Sequence, residues 1–311
     1  MVPDSRMSRQ PLGRSELEVS RLALGSWRTF ERIGREAGLA VMRAAREHHL
    51  NFLDDARYDD ETGTAPIPTG YSEVLFGELF RAAGWDRADT VVANKLWWEF
   101  WPEQSAAAEL EASLSRMGFD YIDLIYANPP PEGLGIREMV SAVGELVSSG
   151  KARAWGIVNW VAGALHEATR AAEAQGIAPP CAAQLPYSLT QRDWVESAEM
   201  TAALEASGAG VVASFVMAGG VLTGKYETGA TTGRAAGQLD DPRYAAARKR
   251  GRRLRTVAQE VGVSPAALAI AFALGNPAVA SVLFGATSPA QIAENVTALE
   301  VDAATVQRIA A

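Results

Sequence analysis

Thr90-Val91-Val92-Ala93-Asn94-Lys95 runs apolar through its middle and then ends on an amide and an ammonium. A strand with one wet face alternates apolar and polar residues. This one has no polar alternate until its end, so it reads as a parallel strand covered on both faces. Seven other stretches read the same way: Arg21–Ser26, Asn51–Asp55, Tyr121–Asn128, Ala152–Asn159, Cys181–Tyr187, Gly210–Val216 and Ser281–Ala286. Helical spacing lies between them. Pro102 suits a first helical position, and Leu110, Leu114 and Met117 then share a face. Met139, Val143 and Leu146 form another stripe, which Gly150 closes. Leu39, Met42 and Ala45 precede a helix end at His48 and His49. Strand and helix in eightfold repetition predict a closed (β/α)8 barrel, a TIM barrel, occupying residues 1–311 as one domain. The rival is a doubly wound sheet, which brings a G-x-G-x-x-G turn after its first strand. Gly25-Ser26-Trp27 is not that turn.

Bulk properties narrow the partners. The net charge of −8 argues against nucleic acid or an anionic membrane as the main partner. A local exception is Arg248-Lys249-Arg250 with Arg252, Arg253 and Arg255, read as a solvated helix face or a phosphate- or partner-facing one. The single cysteine, Cys181, rules out an internal disulfide and reads as a small buried hydrophobe. Met1 to Gln10 is polar without an apolar leader, which predicts a cytoplasmic protein. Pro265 to Ala286 is uncharged and long enough to suggest a membrane span. Gly275-Asn276-Pro277 divides it into a buried helix, a turn and a buried strand, so no membrane is expected.

Active sites of α/β barrels are built at the C-terminal ends of the strands. Two insertions leave such ends: Asp59–Gly70 after the second strand, and a Gly-rich stretch from Gly220 to Pro242 after the seventh. They are candidate lids, or loops that are merely tolerated. Asp54, Asp55, Lys95, Asn128, Asn159 and Gln184 stand at or near strand ends. A carboxylate and an ammonium on adjacent strands can pair there and lower the pKa of a nearby phenol. Tyr58, four residues after Asp54, could reach the same mouth. A salt bridge that only closes the barrel top explains the spacing equally well. Trp27, Trp97, Trp98, Trp101 and Trp160 all follow predicted strand ends. They read as an aromatic-walled substrate pocket for a large ketone or a sugar ring, or as braces for the loops.

Several motifs, in order, resemble the aldo-keto reductases. They are the opening Pro11 to Gly25, Asn51-Phe52-Leu53-Asp54, Gly70-Tyr71-Ser72-Glu73, Asn94-Lys95, Asp120 to Tyr126, Gly156 to Trp160, Ala218 to Tyr226, and Gly285 to Ser288 with Gln291, Glu294 and Asn295. The resemblance implies a barrel with an N-terminal β-hairpin and long loops after strands two and seven. It implies hydride transfer between a nicotinamide and a ketone or aldehyde, including bulky natural-product or keto-sugar substrates. Asp54, Lys95 and Tyr58 take the catalytic places, with Tyr71 a lesser substitute for Tyr58, which stands one residue closer to the aspartate than usual. Asn128 stands where the family has a histidine. His48, His49 and His166 belong to helices, not to the mouth.

For the cofactor, Asn159 and Gln184 match the pair that holds the carboxamide, and Val158 replaces a serine. Ser214 stands at the stacking position, with Phe215 beside it. Gly219, Leu222, Gly224 and Lys225 match the pyrophosphate loop. Gly285, Thr287, Ser288, Gln291, Glu294 and Asn295 match the adenosine-phosphate end, and Thr287 stands where many relatives carry a cation. NADP is the cofactor implied, with NAD open. Trp27, Trp97, Trp98 and Trp160 are the candidate substrate contacts. A small carbonyl compound is the partner implied, with a homo-oligomer open. The altered tetrad keeps a second reading in play: a cofactor-binding regulatory or interaction protein with weak or no turnover, since some barrel relatives serve ion channels. A lyase or cyclase on the same scaffold is the third.

Overall fold

Side chains alternate between two environments along each barrel strand, and this alternation separates chemistry from packing. The computed structural model describes residues 7–231 and 233–311. The start of the polar N-terminus, residues 1–6, lies outside them. Eight parallel strands close on themselves: β3 (Leu22–Gly25), β4 (Phe52–Asp54), β5 (Val91–Leu96), β6 (Ile122–Ala127), β7 (Ala152–Val158), β8 (Ala182–Pro186), β9 (Gly210–Ser214) and β10 (Val279–Phe284), with β10 pairing back to β3. The expected TIM barrel is therefore present. The strands fall within a residue or two of the predicted stretches, as strand ends commonly do.

One set of alternates, Phe52, Val91, Ala93, Leu124, Tyr126, Ala182 and Val212, forms a cluster inside the barrel. The opposite set, including Leu53, Val92, Ile125 and Ala183, packs outward against the helices. Asp54, Lys95 and Gln184 share the inward parity with Phe52, Ala93 and Ala182. They therefore rise from the inner core to its C-terminal rim. A hairpin of β1 (Arg9–Pro11) and β2 (Glu18–Ser20) contributes Leu12, Leu17 and Val19 to the same inner cluster and caps the opposite end. Gly13, at φ +55°, lies so close to the starts of β8 and β9 that a Cβ would stand 2.2 Å from the Cys181 carbonyl oxygen. Only glycine fits there.

The surrounding helices are α1 (Phe30–Glu47), α2 (Tyr71–Ala82), α3 (Ala106–Met117), α4 (Ile136–Ser148), α5 (Ala162–Ala174), α6 (Asp193–Glu196), α7 (Ala198–Ser207), α8 (Ala245–Val261), α9 (Pro265–Leu274), α10 (Pro289–Val296) and α11 (Ala303–Ala310). Helix α3 starts later than Pro102 suggested. Ser105 caps it by accepting from the Ala108 N–H, which gives the first turn a stronger start than a proline alone. The uncharged stretch from Pro265 is the buried helix α9, a turn, and β10. Among the described residues no single helix is long and apolar enough to cross a membrane. The basic run of α8 is not merely solvated. Arg252 and Arg255 reach Glu227 on the loop after β9 at 3.0 and 2.7 Å. The helix thus clamps that loop.

Candidate active site

Asp54 ends β4 opposite Ala93, and Lys95 stands two residues further along the neighbouring strand. Inward parity brings their side chains together. Lys95 Nζ donates to Asp54 Oδ1 at 2.5 Å, and both groups are buried. The same ammonium donates to the Tyr58 hydroxyl at 3.3 Å and to the Asp55 carbonyl at 3.4 Å. Its three protons therefore have three acceptors. Asp54 Oδ2 accepts from Gln184 Nε2 at 2.9 Å, which leaves the Gln184 side-chain oxygen Oε1 outside that bond. The short spacing of Tyr58 is absorbed locally. Its N–H folds back to the Ala56 carbonyl at 2.9 Å, and its carbonyl accepts from the Gly70 N–H at 2.8 Å. Tyr71 is placed elsewhere, against Arg35 of α1.

The phenol departs from one expectation. Burial above all, then the charge of Asp54, pushes the Tyr58 pKa well above its ordinary value, while Arg234 opposes them. In this state the desolvation of the phenol outweighs the opposing charge of Arg234. Tyr58 is held as a protonated donor.

A supporting layer lies outside the strands. Asn94 has outward parity, and its amide donates to Glu73 Oε1 at 2.8 Å while its oxygen accepts from the Lys95 N–H at 2.6 Å. Glu73, fully buried, also accepts from Arg116 of α3 at 2.5 Å. Ser72 donates to the Ala56 carbonyl at 2.7 Å. Gly70 begins this helix at φ +78°, and a Cβ there would stand 2.5 Å from Arg116 Nε. The Gly-x-Ser-Glu element is thus a brace for the Tyr58 turn and for the Lys95 backbone.

Asn128 is tied to the end of β5. Its amide donates to the Leu96 carbonyl at 3.0 Å, and its own carbonyl accepts from Trp98 Nε1 at 3.1 Å. The tryptophans divide into two groups. Trp98 and Trp160 are 3% and 1% exposed, and the Trp160 indole donates to the Ala127 carbonyl at 3.0 Å. Trp101 meets Trp98 edge to face. Trp98 and Trp160 brace loops and present no open face to a substrate, because spent indole N–H groups and burial fix them in place, and the partly buried Trp101 packs against Trp98. Trp27 and Trp97 stand at the mouth, Trp97 with its ring centroid 6.1 Å from that of Tyr58. Glu109, in the first turn of α3, accepts from the Trp97 and Trp98 N–H groups and sets this loop.

The long loop after β9 holds itself together. The Tyr226 hydroxyl donates to the Gly219 carbonyl at 3.1 Å and accepts from the Ala235 N–H at 3.0 Å. Gly219 and Gly224 adopt positive φ. The Leu222 side chain is fully buried in the core, so only its backbone is available to a ligand. Arg234 crosses the mouth to donate to the Trp27 carbonyl at 2.8 Å, with its guanidinium 5.0 Å from the Trp27 ring centroid. Burial lowers the pKa of both Lys225 and Arg234, and the two cations repel each other. Among the described residues neither has a carboxylate in ion-pair contact. Arg234 carries no motif beyond a Gly-rich loop, so the sequence reading missed it.

At the remaining rim, Asn159 is exposed at φ +58°, and its N–H donates to the main-chain carbonyl of Gln184 at 3.0 Å. Ser214 and Phe215 are partly exposed, and Phe215 lies against Trp27 with centroids 6.3 Å apart. A Cβ on Gly285 would meet Arg234 at 2.6 Å. Ser288 caps α10, and Gln291 accepts from the Thr287 N–H at 2.8 Å. Glu294 is exposed and Asn295 buried. The structure brings Asp54, Tyr58, Lys95 and Gln184 into one network.

The sequence profile of the aldo/keto reductase family matches residues 21–311. Among curated proteins, a "Probable voltage-gated potassium channel subunit beta" of Oryza sativa subsp. japonica is 33% identical over 310 residues, covering 95% of this chain and 92% of that protein. A protein of the same name from Arabidopsis thaliana is 32% identical over the same coverage. The barrel, the strand-end network and these similarities agree: the chain belongs to the aldo/keto reductase family.

Proposed function

We propose that the protein is an NADP-dependent carbonyl reductase, working in either direction between an alcohol and a ketone or aldehyde. The observation that carries this reading is the Tyr58 hydroxyl held 3.3 Å from a Lys95 that is itself paired with Asp54. A salt bridge that only closed the barrel would not need a phenol folded back onto it.

The residues fit a dinucleotide. Among the described residues Lys225 and Arg234 have no carboxylate in ion-pair contact and suit a diphosphate, and the N-terminus of α10 beside Ser288, Gln291 and Asn295 suits a further phosphate. Asn159 and the oxygen of Gln184 suit an amide. When bound, a reduced nicotinamide supplies the hydride. Tyr58 donates its proton to the carbonyl oxygen as charge develops there, and Lys95 stabilises the phenolate left behind. Asp54 orients Lys95 and holds Gln184. Asn128 spends one amide proton on Leu96, so it offers at most a single neutral donor. Trp27 and Trp97 line the entry for a substrate with an apolar or planar face, such as a bulky ketone or keto-sugar.

The test is oxidation of NADPH by the purified chain against aldehydes, ketones and keto-sugars, with NADH in parallel. Tight cofactor binding without turnover on any class would favour a second reading, a cofactor-binding regulatory subunit. The names of the two plant relatives and the engaged Asn128 amide support that alternative.

A further inference from the structure

Three carboxyls are buried around the catalytic phenol, and among the described residues two cations pair with them. Asp54 pairs with Lys95, and Glu73 pairs with Arg116. The third, Asp55, is completely buried. Ser26 donates to its Oδ1, while Oδ2 is buried with no hydrogen-bond partner among the described residues. Lys95 touches Asp55 only at its main-chain carbonyl. The charged neighbours are Asp54 on the same strand, Glu73 on α2 with Arg116 of α3 behind it, and Lys95 on β5; Tyr58 sits on the following turn. A buried ion with one oxygen unpartnered is far costlier than a buried neutral acid with the same defect.

We infer that Asp55 is carried as a neutral carboxylic acid and is a positioning residue whose ionisation switches the Tyr58–Lys95 centre off. This rests on the carbonyl-reduction reading above and adds a regulator to it. When Tyr58 gives up its proton, the centre must hold a phenolate beside Asp54 with Lys95 as the adjacent cation. A neutral Asp55 leaves that balance intact. A second carboxylate at Asp55 would oppose the phenolate and draw on the same lysine. Burial and the nearby Glu73 push the Asp55 pKa well up, against weaker pulls from Ser26, the Ala56 N–H and Lys95.

Carboxyl-carbon NMR on the full chain labelled at aspartate tests the protonation state. One aspartyl carboxyl is expected to keep its neutral-acid shift at neutral pH, and to be absent from Asp55→Asn or, should that variant not fold, from Asp55→Ser. Titration of every aspartyl carboxyl of the wild type in the ordinary carboxylate range overturns the inference, with no variant required. The kinetic arm compares kcat against pH. The alkaline fall-off of the wild type is expected to move to higher pH in Asp55→Asn, whereas coincident profiles overturn the switch. A wild type that reduces no carbonyl compound defeats the carbonyl-reduction reading and the switch together, while the NMR result still decides the charge of Asp55.

Discussion

The Tyr58 hydroxyl lies 3.3 Å from Lys95 Nζ although the chain between Asp54 and Tyr58 is a residue short of the family spacing. The backbone turn at Ala56 makes up the difference, so the reactive group is set by a loop and its partners by strands. Tyr58→Phe removes the proton donor and should lower kcat by about a hundredfold to ten-thousandfold, with NADPH affinity little changed. Steady-state turnover with a parallel fluorescence titration checks both halves. Lys95→Met goes further, because it strands Asp54 as an unpaired buried charge. It should also cost about 3–5 kcal/mol of stability in urea unfolding.

Glu73 holds Arg116 and Asn94 at once, and Asn94 in turn accepts from the Lys95 N–H. Glu73→Ala orphans a guanidinium and an amide in a buried layer. A loss of about 3–5 kcal/mol is expected by denaturant unfolding, together with reduced kcat although the residue is remote from the substrate. Wild-type stability in this variant would show that the brace is dispensable.

Arg234 meets Trp27 across the mouth and has no carboxylate partner among the described residues. Arg234→Ala should weaken NADPH binding by about tenfold, or about 1.4 kcal/mol, at low salt. The difference should shrink as salt screens the phosphate contact. Fluorescence titration at two ionic strengths measures it, and equal affinities at low salt would remove Arg234 from the cofactor site.

Burial raises the pKa of Asp55 in the folded protein above its unfolded value. Between those two values the folded state keeps a proton that the unfolded state releases. The contribution of Asp55 to stability is therefore greatest below the ordinary carboxylate range and falls as pH rises through the window, by up to about 1.4 kcal/mol per pH unit for one proton. Asp55→Asn removes that slope. Its melting temperature should gain on the wild type from acid to neutral pH, and parallel curves would count against a buried acid.

The sequence by itself determined the barrel, because unbroken apolar strands can be satisfied only when covered on both faces, and eight of them repeated with helices. It also determined the pairing of Asp54 with Lys95, since two-residue periodicity places both on the inner face of adjacent strands. Ordered motifs marked the loops proposed to hold the cofactor. Tertiary structure alone decided the rest. Which tryptophans face open space depended on where each indole N–H found a carbonyl, and that sent Trp98 and Trp160 into the packing. Tyr58 reached Lys95 through a turn whose partner, Gly70, lies across a loop. Arg234 came into the site from a Gly-rich segment with no local signature. The neutral state of Asp55 follows from counting buried cations around it, and only the folded chain assembles that count.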